Sequence, residues 1–114
     1  MLSLGPSQRI FLAVEPVDMR KQFNGLWALA SEKLHEDPFS GALFVFTNKD
    51  RNLIKMIVWD DGGVWLLAKR LGKARFSWPQ GSDGTKLTLE PAALTMLLSG
   101  IDLKAGCKKA WYER

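Results

Sequence analysis

The sequence predicts an α+β fold, a mainly antiparallel sheet of about five or six strands with two helices packed on one face. Three observations carry this. Between Ala42 and Trp78, short runs of apolar, β-branched and aromatic residues alternate with tight polar turns, as in a strand meander. Two segments, near 19–35 and 90–100, instead space their apolar residues three and four apart, which is helical. The chain has 114 residues, enough for one buried core and too few for two, so a single domain is expected over 1–103, followed by a basic tail over 104–114.

Taken in order, Arg9–Val14 (RIFLAV) has the content of a buried first strand and is closed by Pro16. Asp18 is placed to cap the helix that follows, whose stripe is Phe23, Leu26, Trp27, Ala30 and Leu34. Asp37-Pro38 and Ser40-Gly41 are turn chemistry and end it. Leu43–Thr47 and Leu53–Trp59 read as strands joined by the polar loop 48–52. Asp60-Asp61-Gly62-Gly63 is a second tight turn, and Val64–Arg70 a third strand of the meander. Lys73–Trp78 reads as a fourth, because Ala74, Phe76 and Trp78 alternate with Lys73, Arg75 and Ser77. Lys86–Leu89 suits a short edge strand, and Pro91 opens a second helix with Leu94, Leu97, Leu98 and Ile101 on one face.

Charge and composition narrow the function classes. The single cysteine, Cys107, allows no intrachain disulfide and leaves zinc without its usual thiolates. No apolar run is long enough to span a bilayer, so a soluble cytoplasmic protein without membrane contact is expected, folding alone or as a homo-oligomer. Asp60 and Asp61 are adjacent, and adjacent strand residues diverge, so they read as turn chemistry and not as a metal pair. The lone His35 sits at a helix end, where a cation is favoured by the dipole. Gly62-Gly63 lacks the spacing of a phosphate loop. These residues offer no catalytic set, no metal site and no cofactor site.

What remains is the basic excess, a net charge of +4. Lys69, Arg70, Lys73 and Arg75 have no acid between them, and Lys104, Lys108, Lys109 and Arg114 form a second cluster. Period two places Lys55, Ile57 and Trp59 opposite the core residues Ile54, Met56 and Val58, so one face is expected to be apolar and the other to mix cations with rings. Cations neutralise phosphates, and an exposed Trp59 or Trp65 suits base stacking. Exposed strands also carry lysine and arginine merely to block edge pairing, and a protein-binding surface stands beside the nucleic-acid reading.

The segments Pro16-Val17-Asp18-Met19-Arg20-Lys21, Asp37-Pro38-Phe39-Ser40-Gly41, Leu43-Phe44-Val45-Phe46, Trp59-Asp60, Lys69-Arg70-Leu71, Arg75-Phe76-Ser77-Trp78-Pro79 and Gly100-Ile101-Asp102 together resemble one family. It is the TnpB-type accessory protein, the second open reading frame product, of the insertion-sequence 66 family of bacterial mobile elements. The chain departs from the family pattern at Gln22, Asn24 and Ala68. The resemblance implies a non-enzymatic role in transposition beside a separate, larger transposase that supplies the cleavage chemistry. It carries no established catalytic residues. Met19, Phe39, Trp59, Phe76 and Trp78 are then expected to pack, and the nucleic-acid contacts to come from Arg20, Lys55, Lys69, Arg70, Lys73, Arg75 and Trp65. DNA at the element ends is the expected partner; the alternative is an adaptor for the transposase that never touches DNA.

Overall fold

A computed structural model describes residues 5–72, 75–79 and 84–99 of the chain. The strands are β1 (Ile10–Ala13), β2 (Leu43–Thr47), β3 (Leu53–Asp60), β4 (Gly63–Arg70) and β5 (Lys86–Leu89). The helices are α1 (Phe23–Ala28), which widens into π geometry over Leu29–Lys33, and α2 (Pro91–Leu98). All five strands form one sheet in the order β4-β3-β2-β1-β5. β1 and β2 run parallel, and the other three pairings are antiparallel. The fold is therefore α+β with a mixed, mainly antiparallel sheet.

The connections explain the pairings. A helical crossover separates β1 from β2, and a crossover is what returns a chain for parallel pairing. Between β3 and β4 only Asp61 and Gly62 intervene, with φ of 48° and 87°, the left-handed pair of a type I′ hairpin turn. At the other end of β3 the Asn48 side chain closes the loop: its Oδ1 accepts from the backbone N–H of Asn52 (3.0 Å) and of Leu53 (3.2 Å), while its Nδ2 donates to Asn52 Oδ1 (2.7 Å). This pins Arg51 in a left-handed conformation, φ 57°.

The two helices lie on opposite faces of the sheet, which corrects the expectation that both cover one. α1 contributes Leu26 to a core with Ala30, Leu34, Phe11, Phe44, Phe46 and Ile57. α2 contributes Ala93, Leu94 and Leu97 to another with Ile10, Leu12, Val45, Ile54, Met56 and Val58. Every residue of β1 and β2 is consequently buried. A strand covered on both sides needs apolar residues at consecutive positions, which is what IFLA and LFVFT supply.

Two further expectations are corrected. Residues 75–79 form no strand: they cross the α2 face, where Phe76 and Trp78 fill the core, Phe76 N–H donates to Arg51 O (2.7 Å) and Trp78 Nε1 donates to Ala13 O (3.0 Å). Extended chain alternates its side chains whether or not it is bonded into a sheet, so period two could not separate the cases. Lys73 and Ala74 lie outside the described residues. Asp18 does not cap α1, which begins five residues later at Phe23 after Gln22, with no side-chain cap; its carboxylate binds Arg20 instead.

Candidate functional site

The expected interface residues do not share a face. Lys55 is 8% exposed on the α1 side, and its Nζ donates to Met19 O (2.7 Å) and Lys21 O (3.1 Å). The mixed cationic and aromatic face expected around it is instead a core face, and Lys55 fastens the loop before α1 to the sheet. Lys69 projects on the α2 side, opposite Ile54, and its Nζ donates to Leu98 O (2.7 Å), satisfying a carbonyl that the end of α2 leaves without an intrahelical partner. On the edge strand Lys86 repeats the device: Nζ donates to Leu34 O (2.7 Å), pairs with Glu36 and lies 5.4 Å from the centre of the Phe11 ring. Three lysines thus tie loop and helix ends to the sheet.

Arg20 is exposed and clamped to Asp18: its Nε donates to both carboxylate oxygens (3.1 Å each), one of its guanidinium NH2 groups donates to Oδ2 (2.7 Å), and its backbone N–H donates to Oδ1 (2.9 Å). The side-chain bonds from Arg20, then its backbone N–H, hold the Asp18 carboxyl at about 2 against an ordinary 3.8. The side-chain bonds, with the charge of Asp18, in turn raise the arginine. Trp65 is 49% exposed on the α2 side, its Nε1 donating to Asp60 Oδ2 (3.1 Å) beside the β3–β4 turn.

Arg70 and Arg75 are exposed and make no side-chain hydrogen bond or ion pair with the described residues. Two backbone hydrogen bonds bring them to one end of the sheet. Leu71 N–H donates to Asn52 O (2.8 Å), and Phe76 N–H donates to Arg51 O (2.7 Å). The backbones of Arg70, Arg75 and Arg51 therefore meet where the 48–52 loop adjoins the end of β4, a loop that also carries Lys49 and Asp50. In the sequence Arg51 is one residue of a polar loop. Its proximity to Arg70 and Arg75 rests on hydrogen bonds spanning 19 and 25 positions, which no local pattern reveals.

The other end of the hairpin is acidic and aromatic. Asp60 and Asp61 sit at the turn, and nearby Trp27, Phe39 and Trp59 pack edge to face, with centroids 4.8 to 5.9 Å apart. Phe39 is nevertheless 60% exposed and Phe23 44%, so packing accounts for these rings only in part. With Asn24 and Val64 the four rings line a shallow depression. No group of three or more His, Cys, Asp or Glu side chains suited to a metal occurs among the described residues. None of the described helices is long and apolar enough to cross a membrane.

Two proteins of Sinorhizobium fredii are similar to the chain along most of their length. "Uncharacterized protein y4hO" is 41% identical over 103 residues, covering 90% of this chain and 88% of its own. "Uncharacterized protein y4jC" is 39% identical over 101 residues, covering 87% and 86%. No solved structure matches the chain at a significant level. The family described as "IS66 Orf2 like protein" matches residues 8–108, a span that takes in the whole sheet and both helices. The protein belongs to the IS66 Orf2-like family.

Proposed function

We propose that the protein is a non-catalytic accessory of insertion-sequence transposition that contacts DNA at the element ends through the basic end of its sheet. Family membership supports a transposition-associated accessory role. The observation that carries the DNA reading is that the bonds Leu71 N–H to Asn52 O and Phe76 N–H to Arg51 O bring the backbones of Arg51, Arg70 and Arg75 to one end of the sheet. Guanidinium groups suit phosphate oxygens because their planar donors reach two at once. The acids Asp60 and Asp61 lie across the length of β3, about 25 Å away at strand rise, well beyond the screening length of about 10 Å at moderate salt. They leave the basic end's field intact.

Of the residues expected from sequence, Arg70 and Arg75 remain and Arg51 joins them, while Lys55, Lys69 and Arg20 are engaged in the structural bonds described above. The test is a titration of the full chain with end-containing and random DNA at two salt concentrations. Replacing Arg51, Arg70 and Arg75 together by alanine is expected to weaken binding and lower the log–log salt slope by about 3. Undetectable binding to either DNA at low salt, or an unchanged slope in the triple variant, overturns the reading. The half-exposed rings Phe23 and Phe39 favour a second reading, an adaptor for the separate transposase. It predicts that Phe39→Ser abolishes association with the co-expressed transposase while DNA binding is kept; association equal to that of the unaltered chain rejects it.

A further inference from the structure

The sheet has two edges, and they differ. β5 is four residues long, whereas β4 has eight and, among the described residues, has β3 as its neighbour on one side alone. Proteins keep edge strands from pairing with other chains by making them short or by placing charge, proline or a bulge in them. Over Gly63–Ala68, Gly-Val-Trp-Leu-Leu-Ala, β4 has no charge and no proline, and its register with β3 is unbroken from Leu53↔Arg70 to Asp60↔Gly63. Charge is instead polarised along the strand. Asp60 and Asp61 precede its start, and Lys69 and Arg70 form its finish.

We infer that β4 pairs with β4 of a second copy, antiparallel, about a two-fold axis at Leu67, joining two five-stranded sheets into one. Parallel pairing would set like charges together; antiparallel pairing sets the basic finish of each strand against the acidic start of the other. An axis perpendicular to the sheet keeps the α1 and α2 faces continuous, so facing residues must have the same parity. With the axis at Leu67, Lys69 of one copy faces Trp65 of the other, beside the Asp60 carboxylate that Trp65 Nε1 already engages. Lys69 Nζ is held by Leu98 O of its own chain, so the lysine stem is what lies against the Trp65 ring, as long cationic side chains do on apolar surface. On the α1 side Leu66 faces Ala68 and Val64 faces Arg70. The inference shares Arg70 with the DNA reading but does not rest on it, and its test is made without nucleic acid.

Sedimentation equilibrium of the full chain without nucleic acid tests it. A monomer–dimer equilibrium is expected, weakened at least about tenfold by Trp65→Lys, which sets lysine against lysine, and little changed by Trp65→Phe. If circular dichroism shows that Trp65→Lys is unfolded, Ala68→Lys, at an exposed position of the same strand, gives the same readout. A monomer at every concentration, or a dimer equally tight in the folded lysine variants, overturns the inference. So does a monomer in which Trp65→Lys instead abolishes association with the transposase, since that assigns the edge to another partner.

Discussion

Lys55 lies in a strand between Ile54 and Met56, and its alternation partners Ile57 and Trp59 gave no reason to bury a charge. The tertiary structure supplies two backbone carbonyls for its ammonium, and a charge so bonded can leave water. Lys55→Met keeps the stem but leaves Met19 O and Lys21 O without that donor, and is expected to destabilise the fold by about 1–3 kcal/mol. Urea unfolding at unchanged m-value measures it. DNA affinity at fixed salt should not move. Arg20 and Asp18 give a second prediction. Because the folded carboxyl titrates at about 2 against 3.8, its contribution to folding is complete above 3.8 and is lost as pH falls through about 2. An NMR titration should place the Asp18 midpoint near the lower value, and Arg20→Ala should return it toward the ordinary one.

Elements were legible where local chemistry sufficed. The Asp61-Gly62 turn, the Pro38–Ser40 turn capped by Asp37, and the Pro91 start of α2 are set by residues within a few positions of one another. Residues 75–79 were misread for a reason that is equally local: extended backbone looks the same in a sheet and in a strap across it. The buried leucines of α2 show what the strap and helix do together. Leu94 lies fully buried in the cluster that contains Phe76 and Trp78, so Leu94→Ala is expected to cost about 2–5 kcal/mol. Thermal or urea unfolding measures it, with Thr95→Ala on the exposed side of the same helix as a control expected to cost under about 1 kcal/mol.

At the scale of the whole molecule the sheet is a polarised slab. Helices cover both faces, one end is basic, and the other combines acids with exposed rings. Function is therefore sought at the ends and along the open edge of β4. The salt slope of DNA binding and the self-association of β4 report on these two places separately.

By itself the sequence determined the α+β class, the strand meander, both helices and the family, because periodicity, turn residues and motif order are properties of neighbouring positions. The continuous apolar runs IFLA and LFVFT suit strands covered on both sides, yet the sequence expectation set both helices on one face. Only the tertiary structure decided which face each helix takes and which cations are engaged. Those outcomes depend on backbone carbonyls brought in from 29 to 52 positions away, as with Lys69 and Leu98 or Lys86 and Leu34. A lysine that holds a helix end and a lysine free for a phosphate are the same letter until the chain has closed.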